Sequence, residues 1–502
     1  MGTQTANGDS RPSGSSGASG PSGPAGPSFW PRVREFAVPA SMIETATARR
    51  LAGDWAGACA AAGVDVDLQL RSVVRDYGRE LAARVRDDLR HLAPDLLRWH
   101  MPRIAPDGLL RPGLTLALAK YGGGGRDGGG AVYLVVRTAP AWADAGQRIS
   151  LALWDGGRSS RGPYPDPPPH PPPHPSPSPH PHPRPSRRFR FDLHRHLWDA
   201  RRAGELRMRA GVGLGSDLMG AESPYGPGCA VDRWADEARM LLRAEGRSVG
   251  DVLVRLRGRH RLVLQGIGDE GGGGDTGGLR IVAAAAKGRT SALPVLPDAA
   301  TWVLPDLELL RAGAIEAERL HPLVASALVP ETDSSSPRAS RTPPASGPVE
   351  RVGQPRPVDC RGARHRIGLV DGVLAPLDHD PAEIQREELL AALTGTPLPC
   401  LQAIDEAHRH PECLPDVRER LDHGDIAGAL AVVEGLLGPA AVLRDGALRD
   451  ELEAAARQRI TYGLFRAGLI GPGPGRVRYD ERDRPRSRPR SRRAHARHAQ
   501  RP

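Results

Sequence analysis

The sequence predicts an α+β fold with a helical N-terminal region, a central β-rich region that carries disordered loop insertions, and a mostly helical C-terminal region. Three observations lead to this prediction. Apolar residues recur at three- and four-residue steps between Leu70 and Leu92, the spacing of one helix face. Between Leu114 and Trp154 the pattern changes to the two-residue alternation of strands. Helical spacing returns after Pro381.

A short turn sequence occurs near both ends of the chain. Residues 53–58 read Gly-Asp-Trp-Ala-Gly-Ala, and residues 424–429 read Gly-Asp-Ile-Ala-Gly-Ala. Glycine ends a helix easily because it adopts the left-handed conformation, and aspartate caps the next helix by accepting from its free amides. Each copy therefore predicts an antiparallel helix hairpin. Two copies so far apart do not make a regular repeat, so we expect two helical regions that flank a different one.

Composition and periodicity divide the chain into six predicted segments. Gly/Ser/Pro-rich stretches cannot bury enough apolar surface to become ordered, and they mark the ends, loops and linker. The segments are 1–28, disordered; 29–106, helical; 107–330, a β-rich α+β region with disordered loops at 122–130, 156–187 and 268–278; 331–357, a linker; 358–470, a hairpin followed by helices; and 471–502, a disordered Arg-rich tail.

The central region is predicted to contain seven strands and two helical stretches. A Pro/His tract separates the third strand from the fourth and has to lie outside the sheet. The strands are predicted at 114–120, 131–138, 149–154, 189–193, 252–256, 262–265 and 281–284, and the helices at 231–243 and 307–328.

The C-terminal region opens with a predicted hairpin. Asp371-Gly372 lies between two short apolar runs, which is a strong hairpin signal. Asp380, Pro381 and Glu383 then occupy the cap, first and third positions of a helix start. Helices are expected to continue to about residue 469, with a last core-facing row formed by Leu448, Leu452, Ala456, Ile460 and Leu464.

Charge and cysteine usage indicate the cellular environment. The formal charge is +10, but the segment from Arg476 onward holds eleven arginines against three acidic residues, so the body is nearly neutral. Five scattered cysteines do not suggest a disulfide framework. We expect no signal peptide, because the N-terminus is polar, and no membrane span, because no run approaches about 18 apolar residues. The expected location is the cytoplasm.

Several Gly-rich or Ser-containing stretches fail the requirements of known catalytic motifs. Neither of the two lysines, Lys120 and Lys287, stands before the Ser or Thr that a P-loop requires. Residues 211–215 lack the strand-to-helix setting of a dinucleotide fingerprint. Ser248 lies in a Gly-x-Ser-x-Gly sequence, but a predicted helix precedes it and a strand follows, the reverse of a nucleophile elbow.

A group of potential zinc ligands lies in the C-terminal region. Cysteine and histidine are the side chains that zinc prefers, and the four candidates fall within fourteen residues: Cys400, His408, His410 and Cys413. Their spacing is not that of a familiar zinc module. The favoured interpretation places the cysteines in a small helical core, with zinc as the alternative and no other cofactor predicted.

The leading functional hypothesis is a non-catalytic interaction or scaffold component whose helical hairpins present a groove to a protein partner. One alternative is a hydrolase-like enzyme with a site between the central and C-terminal regions, for which the first residues to test are Asp371, His379, His408 and His410. The other is a nucleic-acid accessory protein, because a polybasic tail binds phosphates without sequence preference. The tail arginines concerned are Arg484, Arg486, Arg488, Arg490, Arg492 and Arg493.

Overall fold

A computed structural model describes residues 29–122, 131–155, 184–211, 224–226, 228–257, 260–268, 280–284, 292–329 and 355–469. The segment 1–28, most of the predicted loops and linker, and the Arg-rich tail with Arg484 to Arg493 lie outside these residues. The α+β class is confirmed, with helices at both ends of the chain and sheets between them. Among the described helices, none combines the length and apolar character needed to cross a bilayer.

Up to His100, the N-terminal region contains six α-helices, a π-helical segment at Val33–Ala37 and one short strand. The apolar stripe from Leu70 to Leu92 is buried as predicted at Val73, Leu81 and Leu89, but it belongs to two helices. Gly78 separates them because it takes a φ of 89°, which ends one helix and begins the next at an angle. The elements are α1 Trp30–Arg32, α2 Ala40–Leu51, α3 Trp55–Ala61, β1 Val64–Val66, α4 Leu70–Tyr77, α5 Arg79–His91 and α6 Pro94–His100.

Both matched turns form the predicted helix hairpins. Asp54 accepts a hydrogen bond from the Gly57 amide at 2.8 Å, and Asp425 accepts one from the Gly428 amide at 2.9 Å. An arginine five residues earlier also binds each aspartate at 2.8 Å, Arg49 in the first turn and Arg420 in the second. The two turns therefore share a capping arrangement as well as a sequence.

A four-stranded sheet packs against these helices. Its strand order is β1-β6-β5-β4, with β1 parallel to β6 and the other pairs antiparallel. One hydrophobic core contains residues of the helices and of the sheet, so the N-terminal and central regions are joined. The strand predicted at 189–193 is wrong, because this segment contributes a single bridge between Arg190 and Ala117. The further strands of this sheet are β4 Thr115–Tyr121, β5 Val132–Thr138 and β6 Ile149–Trp154, whereas β2 Arg103–Ile104 and β3 Leu109–Leu110 pair with each other in a separate two-stranded sheet.

A second, antiparallel sheet of order β7-β8-β9 completes the central region. Helix α8 packs on it around Trp234, which is completely buried. The helical stretch predicted at 307–328 is interrupted and forms two separate helices. The elements are α7 Leu206–Arg209, α8 Trp234–Ala244, β7 Val249–Arg255, β8 Arg261–Gly268, β9 Arg280–Ala283, α9 Asp298–Thr301, α10 Pro305–Arg311 and α11 Pro322–Leu328.

The C-terminal region begins with a three-stranded antiparallel sheet and continues with five helices. The predicted Asp371-Gly372 hairpin is confirmed by the pairing of Val370 with Val373. Asp380 caps the following helix by accepting from the Ala382 amide at 2.8 Å. The elements are β10 Arg356–Cys360, β11 Ala363–Val370, β12 Val373–Pro376, α12 Pro381–Thr394, α13 Pro399–Arg409, α14 Leu414–His423, α15 Ile426–Leu437 and α16 Ala447–Arg466.

The C-terminal half of α16 docks on the β5–β6 connection and on the edge strand β1 of the first sheet, by a face that the sequence did not predict. Ile460 is 63% exposed, so the predicted core-facing row is wrong beyond its first members. Tyr462 and Phe465 are buried instead, and the Tyr462 hydroxyl donates to Asp65 at 2.8 Å. The error arises because the row assumes one helical neighbour, whereas the helix passes from its own bundle to the sheet.

Candidate metal centre

The sheet of the C-terminal region places a cysteine and a histidine on one face. Cys360 is the last residue of β10, and the turn Arg361-Gly362 returns the chain into β11. His365 lies on β11 opposite Val358, two positions from Cys360 on the neighbouring strand. Because side chains alternate along a strand and face their cross-strand partners, Cys360 and His365 point to the same side.

Two further side chains reach this face from the helical segments. His379 lies in the connection between β12 and α12, immediately before the cap residue Asp380. Cys400 is the second residue of α13, where Pro399 occupies the first helical position. A small core of apolar residues, including Ile367, holds α13 against the sheet and brings Cys400 over Cys360.

The four side chains converge on one point. One ligand atom from each of Cys360, His365, His379 and Cys400 lies within 4.8 Å of the corresponding atoms of the other three. Nδ1 of His365 is 2.6 Å from Nε2 of His379, and the two rings meet nearly edge-on. Both cysteines are completely buried, the side chain of His379 is 4% exposed, and His365 is half-buried. Within the described part of the chain, this is the one such group of three or more His, Cys, Asp or Glu side chains.

The donor set and its spacing fit a tetrahedral metal ion. Two cysteines and two histidines form a ligand set that Zn²⁺ takes in structural sites. Bond lengths of about 2.3 Å to sulfur and 2.0–2.1 Å to nitrogen place the ligand atoms about 3.3–3.8 Å apart. The observed group spans that range, from 2.6 Å between the nitrogens to at most 4.8 Å. Shifts of about 1 Å or less would bring all four atoms to tetrahedral positions.

A second layer of charged residues orients His379. Its Nε2 faces the cluster, and its Nδ1 lies 3.6 Å from a carboxylate oxygen of Glu383. A carboxylate on the outer nitrogen of a ligating histidine fixes the tautomer that leaves the inner nitrogen free to bind metal. Arg361, which follows Cys360, ion-pairs with Glu387 at 2.7 Å and with Glu383 at 3.9 Å. These contacts attach α12 to the turn that holds Cys360.

The environment of Cys400 disfavours its ionised form when no cation is bound. Burial, together with the neighbouring Cys360 thiol, raises the pKa of Cys400 to about 11. A metal ion reverses this preference because a coordinated thiol loses its proton. The first turn of α13 adds free amide groups beside Cys400, which also favour a thiolate.

The structure separates the sequence-predicted zinc ligands. It places Cys400 in the four-residue cluster, whereas His408, His410 and Cys413 lie outside it. His408 is buried on α13, and burial lowers its pKa. His410 directly follows α13, and its exposed ring lies 3.8 Å from Glu406; Cys413 directly precedes α14. Zinc at the predicted set therefore stays a prediction, and the geometry favours a different set that shares Cys400.

The residues proposed for a hydrolytic site also lie in different parts of the C-terminal region. His379 belongs to the cluster, but Asp371 lies in the β11–β12 turn with a φ of 50°. His408 is on α13, and His410 directly follows that helix. Sequence reasoning missed Cys360 and His365. The sequence did contain a signal for these two ligands: a Cys and a His flank a Gly-containing turn just before the predicted hairpin.

Two histidine–aspartate pairs lie inside the N-terminal and central core. Nε2 of His100 is 3.1 Å from Asp306, and Nε2 of His321 is 2.8 Å from Asp95. The cavity beside them, next to Trp99, has a volume of about 10 Å³, which is at most one water molecule. Such enclosed pairs join α6 to α10 and α11 and leave no space for a substrate.

No protein-family model matches this chain, and neither the curated proteins nor the solved structures include a match to it. The functional argument therefore depends on the chemistry of the described residues.

Proposed function

We propose that the C-terminal region binds one Zn²⁺ ion through Cys360, His365, His379 and Cys400, and that the protein acts as a non-catalytic interaction component. The observation that carries the proposal is the convergence of four potential ligand atoms within 4.8 Å, two of them on completely buried cysteines. Packing alone rarely brings two thiols and two imidazoles to one point, whereas the binding of one metal ion explains the position of all four.

The proposed role of the metal is structural. Four protein ligands fill a tetrahedral shell, and a catalytic zinc keeps one position open for water or substrate. The apolar core between the sheet β10–β12 and α13 is small, and zinc commonly supplements a core of this size. The ion would tie three chain segments together: the β10–β11 turn, the connection before α12, and the start of α13.

Metal analysis of the full-length protein tests the proposal. The protein is purified without added zinc, passed through metal-free buffer, and analysed by inductively coupled plasma mass spectrometry together with Cys360→Ser and Cys413→Ser variants. We expect about one zinc per chain in the natural protein and in Cys413→Ser, and a loss of most of it in Cys360→Ser.

Cys413 is the matched control because it lies in the same region and belongs to the sequence-predicted ligand set, but not to the observed cluster. Zinc loss in Cys413→Ser with retention in Cys360→Ser would replace the proposed set by the sequence-predicted one. No zinc in the natural protein after reconstitution would refute the proposal.

A second observation supports the interaction role. Helix α12 buries no residue completely, and Leu389 and Leu393 are 68% and 86% exposed. Its inner side packs Ile384 against the small core, so the exposed leucines form a separate apolar stripe. We propose that this stripe contacts a protein partner that presents an apolar helix face.

The five described cysteines are free thiols, which supports the proposed cytoplasmic location.

A Leu389→Ser/Leu393→Ser variant tests this surface, with Leu51→Ser as the control because Leu51 is 74% exposed elsewhere. Light scattering of both variants shows whether the occupant is a second copy of the chain. In-cell cross-linking shows whether it is another protein. Unchanged cross-links and unchanged mass in the double variant would contradict the surface role.

Two alternative functions make separate predictions. If His379 is the centre of a hydrolase, zinc-depleted protein should turn over a substrate, and His379→Ala should abolish that turnover. The structural proposal predicts instead that His379→Ala loses zinc. A nucleic-acid accessory role predicts salt-sensitive binding that disappears on removal of residues 476–502.

A further inference from the structure

A cleft separates the N-terminal helices from the C-terminal bundle. Its volume is about 410 Å³. One wall comes from α2, the end of α3 and the loop before β6, and the other comes from the second matched turn and α16. At one point the walls touch directly, because a Cβ on Gly424 would lie only 1.9 Å from the carbonyl oxygen of Gly146. Residues more than three hundred positions apart therefore build one site.

The guanidinium of Arg98 lines this cleft, and no acid among the described residues is hydrogen-bonded to it. Arg98 is 2% exposed and donates to three backbone carbonyl oxygens: those of Ala37 at 2.9 Å, Gln147 at 2.6 Å and His423 at 3.0 Å. These acceptors are neutral. The one carboxylate that acts on Arg98 through space is Asp144, which accepts hydrogen bonds from Gln147 and forms no ion pair with Arg98. Three of its five N–H groups are used, so two remain for another acceptor.

The surroundings of Arg98 increase the positive potential. Arg103 lies behind it, donates to carbonyl oxygens of Arg98 and Gly108, and has a buried Nε with no partner among the described residues. His423 is buried nearby with both ring nitrogens unpartnered in the described chain. Burial and the charges of Arg103, Arg98 and Arg32 lower the pKa of His423 to about 4, so this ring is neutral at pH 7.

The rim of the cleft adds further donors. Arg148 and Arg459 both line it; Arg148 is held by Asp65 at 2.7 Å, whereas Arg459 is exposed and forms no ion pair within the described residues. The first turn of α2 also lines the cleft. The Pro39 carbonyl accepts from the Met42 and Ile43 amides, but Pro39 offers no side-chain acceptor for the amides of Ala40 and Ser41. The acid on the rim, Asp425, already accepts from Gly428 and Arg420.

We propose that this cleft binds a small phosphate monoester, with the phosphate held by Arg98 and Arg459 at the first turn of α2. The proposal does not depend on the zinc centre. Buried cations are normally paired, and here a cavity, a buried guanidinium, a rim guanidinium and an uncapped helix start all favour the same anionic occupant.

The lining also indicates the size and the rest of the ligand. One side of the cleft is apolar and is formed by Met42, Ala60, Ala61 and Ile426. This side suits a ring or chain attached to the phosphate. A volume of about 410 Å³ is in the range of pockets for small molecules and is too small for a folded protein segment. A dianionic phosphate matches two arginines that form no ion pair among the described residues better than a single carboxylate does.

Calorimetric titration of the full-length protein tests the proposal. The ligands are adenosine monophosphate, glucose 6-phosphate and inorganic phosphate, and adenosine is the uncharged comparison. We expect saturable binding of at least one phosphate monoester, weaker binding of inorganic phosphate, and none of adenosine. Arg459→Gln is expected to weaken the binding about tenfold, because it removes one charge-assisted contact at the rim.

Arg457→Gln is the matched control, since Arg457 lies on the same helix and pairs with Glu453. Equal binding by Arg459→Gln and the natural protein would overturn the assignment of the phosphate position. Absence of saturable binding for all three phosphates at millimolar concentration would overturn the site itself. Arg459 is exposed, so its replacement does not depend on refolding of the core.

Discussion

Replacing Phe465 with alanine tests how α16 is held against the β5–β6 connection, beside the first sheet. Phe465 is 7% exposed and meets the ring of Trp142 edge-on, with ring centroids 5.3 Å apart. Its other buried neighbours are Tyr462 and small alanines, which cannot expand into the space that the ring would leave. Removal of a buried phenylalanine costs about 3–5 kcal/mol. We expect about 3 kcal/mol, because Trp142 is partly exposed and water can enter the gap.

Ile460→Ala is the matched control on the same helix. The sequence predicts that Ile460 faces the core, but it is 63% exposed, so its truncation should change the free energy of unfolding by less than about 0.5 kcal/mol. Urea denaturation, with hydrogen exchange of the α16 amides, measures both variants. A loss below 0.5 kcal/mol in Phe465→Ala, or an equal loss in both variants, would refute this account of the docking.

Three further changes test other parts of the structure. Gly424→Ala should destabilise the fold more than Gly53→Ala, by at least about 1 kcal/mol in thermal unfolding, because both need a positive φ but only Gly424 also lies against the Gly146 carbonyl. Glu383→Gln should weaken zinc binding about tenfold in a chelator competition, since it removes the partner of His379, whereas Glu388→Gln should not. Burial alone would raise the pKa of Asp65, but the contacts of Asp65 with Arg148, Tyr462 and Arg466 hold this pKa below its usual value. The contribution of Asp65 to stability is therefore present above about pH 4 and is lost at lower pH. Hydrogen exchange of α16 should therefore accelerate on acidification, and Asp65→Asn should remove that dependence.

Local chemistry made much of the fold predictable. The two Gly-Asp turns, the Asp371-Gly372 hairpin and the Asp380 cap were each predicted from a few adjacent residues, and each has the predicted contacts. The forces concerned act within one turn of chain, so neighbouring residues determine the outcome. The α+β class follows from the same periodicities.

Contacts between distant segments were the part that the sequence could not show. The short strand β1 pairs with β6 across more than eighty residues, and α16 docks on Asp65 from nearly four hundred residues away. The side chains of Cys360 and Cys400 are forty residues apart in sequence and meet because α13 folds back onto the sheet. A search confined to nearby ligands therefore grouped Cys400 with His408, whereas the fold groups it with His365.

X-ray absorption spectroscopy at the zinc edge tests the central claim most directly, applied to the purified full-length protein and its Cys360→Ser variant. The account predicts two sulfur ligands at about 2.3 Å and two nitrogen ligands at about 2.0–2.1 Å in the natural protein. In Cys360→Ser it predicts one sulfur ligand or loss of the metal. An unchanged two-sulfur shell in Cys360→Ser, or a shell without sulfur in the natural protein, would contradict it.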